Sequence, residues 1–308
     1  MNTLHRALGI APLIALSYGQ AAFAAPAVPG HIYVSDDATG AVYGYALSPS
    51  DGVPYGRAVF VVGGFKSPRG LAVDGAGYLY VTDEGAQMLT VFAPPATTPI
   101  YTLAFHNVKP SAVAVDSKGF IYVGVHRCCE EGLPIEALWE YRPIASGPSK
   151  PYVKSGFVTG IVTGLSWRPA DDVLFETFTG GSGYVFFPGS IRGSYGEQLC
   201  GAESPKGIAA GPSGTVFVAD AGANILYAYP RPARTGCGPD YRIVSYNFPL
   251  DFARAGNVAA GHGDIYVTTR GAQPGVATFP AQAHGFVYAY LFSDYPNLKA
   301  PSGIALGP

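Results

Sequence analysis

Few residues in this chain carry reactive chemistry, and they gather at a handful of places. The richest stretch is His126-Arg127-Cys128-Cys129-Glu130-Glu131-Gly132. Imidazole, thiolate and carboxylate are all zinc ligands, so these types in one loop fit a metal site. Adjacent cysteines bind one metal awkwardly, however, and the Cys-x-x-Cys spacing is missing. In an oxidising compartment Cys128 and Cys129 also fit a vicinal disulfide that stiffens the loop into a flat ligand platform. Pairing with other cysteines, within or between chains, is the third reading. Arg270, His262 and His284 fall in the sixth repeat; His284 has the chemistry of a pH-responsive base or metal ligand, but His262 and His284 are read onto opposite faces, which weighs against a shared site. Asp171-Asp172 offers two adjacent carboxylates, read as a solvated turn rather than a calcium or acid–base site. Asp36, Asp83 and Asp220 recur at repeat spacing and read as turn makers that accept backbone hydrogen bonds. No nucleophile elbow, P-loop or HExxH sequence occurs. No catalytic residue, metal site or cofactor is therefore assigned. The ligand-binding candidates are His126, Arg127, Glu130, Arg270 and His284.

The elements that must position these groups are legible in the composition. Of 308 residues, 48% are hydrophobic and 13% charged, about half the ordinary charged share. Such a chain has too much apolar content and too little net charge for disorder. With 19 basic against 21 acidic residues and no basic block, a nucleic-acid partner is disfavoured. The 41 Gly and 27 Pro cut the sequence into short segments, which argues for strands and turns over a helical bundle.

Those segments repeat. The unit reads Pro-x-Gly-apolar-Ala-apolar, a Gly turn, aromatic-Val-x-Asp, a polar turn, then apolar-x-x-aromatic. Pro68 to Val73 leads to Tyr78–Asp83 in one copy, and Pro205 to Ala210 leads to Val216–Asp220 in another. Further copies begin at Pro110, Thr163 and Gly256. The sixth is divided between the chain ends: Pro301-Ser302-Gly303-Ile304-Ala305-Leu306 supplies the first strand, and His31 to Asp36 the second. Residues 31–308 thus predict an all-β, six-bladed β-propeller of four-stranded antiparallel blades, about 46 residues each, within the usual span for blades. Pairing of the N- and C-terminal strands closes the ring and leaves no exposed sheet edge there.

Residues 1–24 read as a signal peptide: basic Arg6, an apolar stretch to Tyr18, and the small-x-small sequence Ala22-Phe23-Ala24. Residues 25–30 form a lead-in. Export to the periplasm or the medium permits disulfides. Cys200 and Cys237, 37 residues apart and flanking one repeat, are the first choice for a bridge.

The segments resemble NHL-repeat propellers, whose unit reads roughly Gly-Ile-Ala-Val-Asp, then Gly-Asn-Ile-Tyr-Val-Ala-Asp. Val216–Tyr229, with Asp220, Asn224 and Ile225, is similar to that unit nearly position for position. The fourth and sixth copies depart from it, with Thr177 and Thr269 near the hairpin Asp position. The resemblance implies a fold and leaves the chemistry open, since such propellers include scaffolds, adhesion and signalling modules, lactonases and lyases. Gluconolactonase-type relatives hold a central metal through Glu, Asn and Asp. Here the inner-strand starts, Gly70, Ala112, Gly164, Gly207, Asn257 and Gly303, offer one amide and no carboxylate. The expectation is an exported, monomeric, non-catalytic binding or scaffold module for a protein, glycan or small ligand, with no membrane span after cleavage. Ligands are expected at the face carrying two insertions, 126–136 and 270–285. The alternative is a metal-assisted lactonase or lyase using His126, Glu130 and His284, with a divalent ion as cofactor.

Overall fold

The computed structural model describes residues 30–127, 137–147, 153–155, 160–180, 182–186, 197–230, 238–239, 241–245, 251–252, 256–294 and 296–307. Among them the fold is an all-β propeller, with one short 3-10 turn at Ile144–Ser146. No helix of the described residues is long and apolar enough to cross a membrane.

The strands follow the repeat. The first sheet contains β1 (His31–Asp36), β2 (Ala41–Leu47) and β3 (Pro54–Gly63). The second holds β4 (Pro68–Val73), β5 (Leu79–Asp83), β6 (Met88–Phe92) and β7 (Pro99–Ala104). The third holds β8 (Val108–Val115), β9 (Ile121–Arg127), β10 (Ala137–Tyr141) and β11 (Val153–Ser155). Then come β12 (Val162–Arg168), β13 (Val173–Phe178), β14 (Ser182–Phe186) and β15 (Glu197–Leu199). The fifth sheet has β16 (Pro205–Ala210), β17 (Thr215–Asp220), β18 (Ile225–Pro230) and β19 (Tyr241–Ser245). The sixth has β20 (Val258–Gly261), β21 (Asp264–Thr269), β22 (Gly275–Pro280) and, after β23 (Gly285–Val287), β24 (Tyr290–Phe292). The last strand, β25 (Pro301–Gly307), pairs antiparallel with β1, with His31 opposite Gly307 and Val34 opposite Ile304.

Two details depart from the sequence reading. β23 leaves the sixth sheet and pairs in parallel with β19, so the fifth sheet has five strands rather than four. The stretch 270–285 is not one loop, because Gly275–Pro280 is a buried strand. Its Gly, Ala and Pro content hides a sequence that pairs along all of β21.

Strand periodicity explains the packing. Along each second strand, alternate side chains point to the two neighbouring sheets. Tyr80 packs toward the third sheet while Leu79 and Val81 pack toward the first. The same rule sends Ile32 and Val34 to the sixth sheet and Tyr33 to the second. Apolar clusters therefore lie between sheets, and the innermost strands touch in the order β25, β4, β8, β12, β16, β20 and back to β25. Crowding there explains the repeated glycine: a Cβ at Gly207 would stand 2.6 Å from the Cα of Asn257, and one at Gly70 would stand 2.7 Å from that of Ala112.

The recurring aspartates bind backbone. Asp83 accepts the amides of Lys66, Ser67 and Ala86 at 2.8, 2.9 and 2.9 Å. Asp220 accepts those of Glu203, Ser204 and Gly222 at 2.6, 3.1 and 2.7 Å. In the fourth and sixth sheets, which lack this Asp, Thr179 and Thr269 each accept one amide, from Ile161 and Asp251 respectively; the third sheet has Val125 there.

Candidate functional site

One end of the central channel opens into a cavity of about 430 Å³, a size suited to a small organic ligand. Two columns of the repeat line it. The first is the residue at the middle of the repeat's Pro-x-Gly place, at the start of the innermost strands, which is Pro-Ser-Ala around Ser111 and Val-Thr-Gly around Thr163: Arg69, Ser111, Thr163, Lys206 and Ser302 all face the cavity. The sixth sheet has Gly256 there and contributes Asn257 one place later. The second column follows the hairpin Asp position and reads Asp37, Glu84, His126, Thr179, Ala221 and Arg270. Of these, Glu84, His126, Thr179 and Arg270 line the cavity. The other end of the channel is walled by innermost-strand residues such as Leu71, Val113 and Ile208 around about 160 Å³.

Charges are concentrated on one side of the mouth. Arg69 Nε binds Glu84 at 3.0 Å, and its Nη2 stands 3.6 Å from Asp37. Arg270 Nη2 stands 3.6 Å from the same Asp37 carboxylate, while its Nε donates to the Pro301 carbonyl at 2.9 Å. Lys109 Nζ and His126 Nε2 approach Glu84 at 3.6 and 3.5 Å. Across the ring Lys206, half-buried, makes no hydrogen bond or ion pair with the described residues. The cavity lining thus holds three permanent cations, Arg69, Lys206 and Arg270, and one acid, Glu84, with Asp36 and Asp37 behind Arg270, a local positive excess in a chain of net charge -2. Low-dielectric walls focus such a field into the cavity.

Two pKa shifts follow. The hydrogen bond from His126, helped by the Arg69 guanidinium, outweighs burial and holds Glu84 down at about 2. Burial lowers Arg270 against the opposing pull of Asp37, and its Nη2 is a buried donor with no acceptor. Because Glu84 is depressed on folding, its stabilisation is present above about pH 4.5 and is lost as pH falls through about 2. Glu84→Gln is expected to lower stability at pH 7 by about 1–3 kcal/mol and to flatten the acid limb between those values. Denaturant titrations of both proteins at pH 2.5, 4 and 7 check this; equal losses at every pH would refute it.

The structure brings together part of the sequence-derived set. His126 and Arg270 share the mouth, linked through Glu84, Arg69 and Asp37. His284 does not join them. Its ring stacks on Tyr241 at 3.8 Å, beyond Pro280 and so at the opposite end of the β21–β22 hairpin from Arg270. The Arg127 side chain, Glu130, Cys128, Cys129 and Cys237 lie outside the described residues, while Cys200 directly follows β15. Asp171 and Asp172 sit in a turn at the other face, bound to Arg168 at 2.6 Å and Lys118 at 3.4 Å. The described residues contain no group of three His, Cys, Asp or Glu able to hold a metal.

Sequence reasoning missed Arg69, Glu84, Lys109, Lys206 and Ser302. It followed the insertions and the glycine column, whereas the cavity is lined by the variable letters beside that column. Reading the repeats as columns would have exposed them.

No family profile matches the chain, and no curated protein does. Many solved structures share its fold. A chain of a nidogen/laminin complex is 14% identical with a TM-score of 0.67, over 91% of this chain and 98% of that one. A protein of unknown function from Bacteroides caccae is 11% identical with a TM-score of 0.68, over 91% and 99%. A functionally unknown protein from Desulfotomaculum acetoxidans is 13% identical with a TM-score of 0.59, over 88% and 83%. At these identities the likeness defines the class, a β-propeller, and nothing narrower.

Proposed function

We propose that residues 31–308 form a six-bladed, NHL-like propeller that is exported after cleavage of residues 1–24 and acts as a non-catalytic binding module. Six separate sheets, the cyclic contact of their innermost strands and the β25–β1 pairing support the blade count and the closed ring. The observation that carries the binding reading is the channel mouth. Two repeat columns converge there on a rigid frame and present more charge than the frame needs. Loops and strand ends held by a rigid scaffold are where propellers bind. The likeness to a chain of a nidogen/laminin complex is compatible with a protein partner as well as a small one. We further propose a Cys200–Cys237 bridge, with Cys128 and Cys129 as a vicinal disulfide, consistent with the oxidising compartment. A disulfide at Cys200 is compatible with the first pairing and names no partner.

The test is a saturable ligand for the purified mature protein, with protection from hydrogen exchange mapped onto Arg69, Ser111, Thr163 and Lys206. A ligand that protects only the outer strands would overturn the site. A tightly held divalent ion per chain, removed by chelation together with lactonase or lyase turnover, would overturn the non-catalytic reading. For the bridge, non-reducing peptide mapping is expected to yield a Cys200–Cys237 linked pair. Cys200→Ser is expected to cost about 2–4 kcal/mol, and recovery of both peptides unlinked would refute the pairing.

A further inference from the structure

Around the mouth, side chains make four of the six junctions between one innermost strand and the next. Ser302 Oγ donates to the Pro68 carbonyl at 2.7 Å, Ser111 Oγ to that of Val162 at 2.6 Å, and Thr163 Oγ1 to that of Pro205 at 2.9 Å. Asn257 Nδ2 donates to the carbonyl of Ser302. A short hydroxyl or amide at this place therefore has a structural duty: it seals one sheet to its neighbour at the ring centre.

The circle of ties has two gaps, from β4 to β8 and from β16 to β20. At both, the tying residue is replaced by a cation. Arg69 points its guanidinium at Glu84 and Asp37 instead of the next strand. Lys206 makes no tie to β20 and no ion pair with the described residues. Lys206 lines the cavity while its residue stays partly exposed, and a serine here would add a bond that the fold uses elsewhere. In the contact order of the innermost strands, β4 and β16 are three places apart. Arg69 and Lys206 thus face one another across the cavity, and Arg270, on the sixth sheet, meets Arg69 at Asp37 of the first sheet that lies between them.

We infer that the channel mouth seats a small organic oxyanion, a carboxylate or phosphate on a compact polar molecule, with Lys206 as its charge partner opposite Arg69 and Arg270. This rests on the mouth being the binding site. The four ring ties already use Ser302, Ser111, Thr163 and Asn257 as donors. Those side chains keep oxygen lone pairs, which suit hydroxyl donors on the rest of the ligand. The cavity of about 430 Å³ admits a small molecule and excludes a folded anionic polymer. Binding through partly desolvated charges weakens with salt.

The test uses the full mature chain and a fragment set of carboxylic and phosphoric acids, each matched to its neutral amide or alcohol, measured by saturation-transfer NMR. Acids are expected to bind saturably and their neutral partners not to bind. Lys206→Met is expected to weaken the acids at least about tenfold, and Lys206→Arg to keep them within about threefold. Thermal melts of both variants confirm that the fold is retained. The carboxylate and phosphate arms separate the two oxyanion sources. If neutral partners bind as tightly as acids, and Lys206→Met changes nothing while Lys206→Trp blocks them, the oxyanion assignment falls but the mouth stands as a binding site. If neither set binds, both fall.

Discussion

Glu176→Val is expected to stabilise this protein, by about 1–3 kcal/mol at pH 5 and by at least about 2 kcal/mol more at pH 8. Glu176 lies on β13, fully buried, opposite Leu165 in the register. The same place holds Val34, Val81, Val123, Val218 and Val267 in the other sheets. Its strand neighbours on the same face, Leu174 and Phe178, pack toward the third sheet in two separate small clusters, so the glutamate interrupts what would be one intersheet core. Neither carboxylate oxygen has a hydrogen-bond partner. Burial accordingly pushes its pKa up to about 8.

The sign of the pH effect follows from linkage. The folded state binds the Glu176 proton more tightly than the unfolded chain, so stability falls as pH rises from about 4.5 to about 8. Valine removes that slope and the orphaned oxygens together, and its smaller volume costs about 1 kcal/mol or less through the space left behind. Glu176→Gln should abolish the slope but keep unpaired polar atoms, and so gain less. Urea titrations at pH 5, 6.5 and 8 decide the matter. A valine variant less stable than the parent at pH 8, or one that keeps the parent's pH dependence, would refute the assignment of the slope to Glu176.

Asp36→Ala is expected to act in the opposite direction, costing about 3–5 kcal/mol. The buried carboxylate accepts four backbone amides: Ala38 at 3.1 Å, Thr39 at 2.9 Å, Lys299 at 2.7 Å and Ala300 at 2.6 Å. The first two shape the β1–β2 hairpin. The last two belong to the segment that leads into β25, so one side chain joins the two ends of the chain. Alanine leaves all four donors without this acceptor. Exchange of the Lys299 and Ala300 amides, and of those along β25, should accelerate before global unfolding. Asp36→Asn, which keeps one acceptor oxygen, should lose less. A cost below about 1 kcal/mol with unchanged protection of β25 would show that the terminal strands hold without this carboxylate.

These two residues mark how far the sequence could be read. Asp36 was legible because its role recurs: an acid ending the second strand, followed by a polar turn, in three copies of the repeat. Glu176 was not, because its meaning lies in what the other sheets place there, and one letter inside a strand carries no sign of burial. The candidate site divides in the same way. His126 and Arg270 were found because they begin irregular stretches. Arg69 and Lys206 were passed over because the repeat was read from the Pro and Gly on either side of them. His284 was misplaced because Gly275–Pro280 read as loop while it pairs as a strand.

By itself, then, the sequence determined the all-β architecture, the repeated unit, the turn-making aspartates and the complementary half-units at the chain ends. The unit and its turns depend on neighbours within one hairpin, where strand alternation and turn chemistry act locally, and the half-units at the ends are recognised by comparison with the complete copies. Only the tertiary structure decided which charges meet. Arg69, Lys206 and Arg270 are far apart along the chain and share no local pattern. They converge because each sheet directs the same two positions toward one axis, and a charge excess at that axis is a property of the ring and of no single repeat.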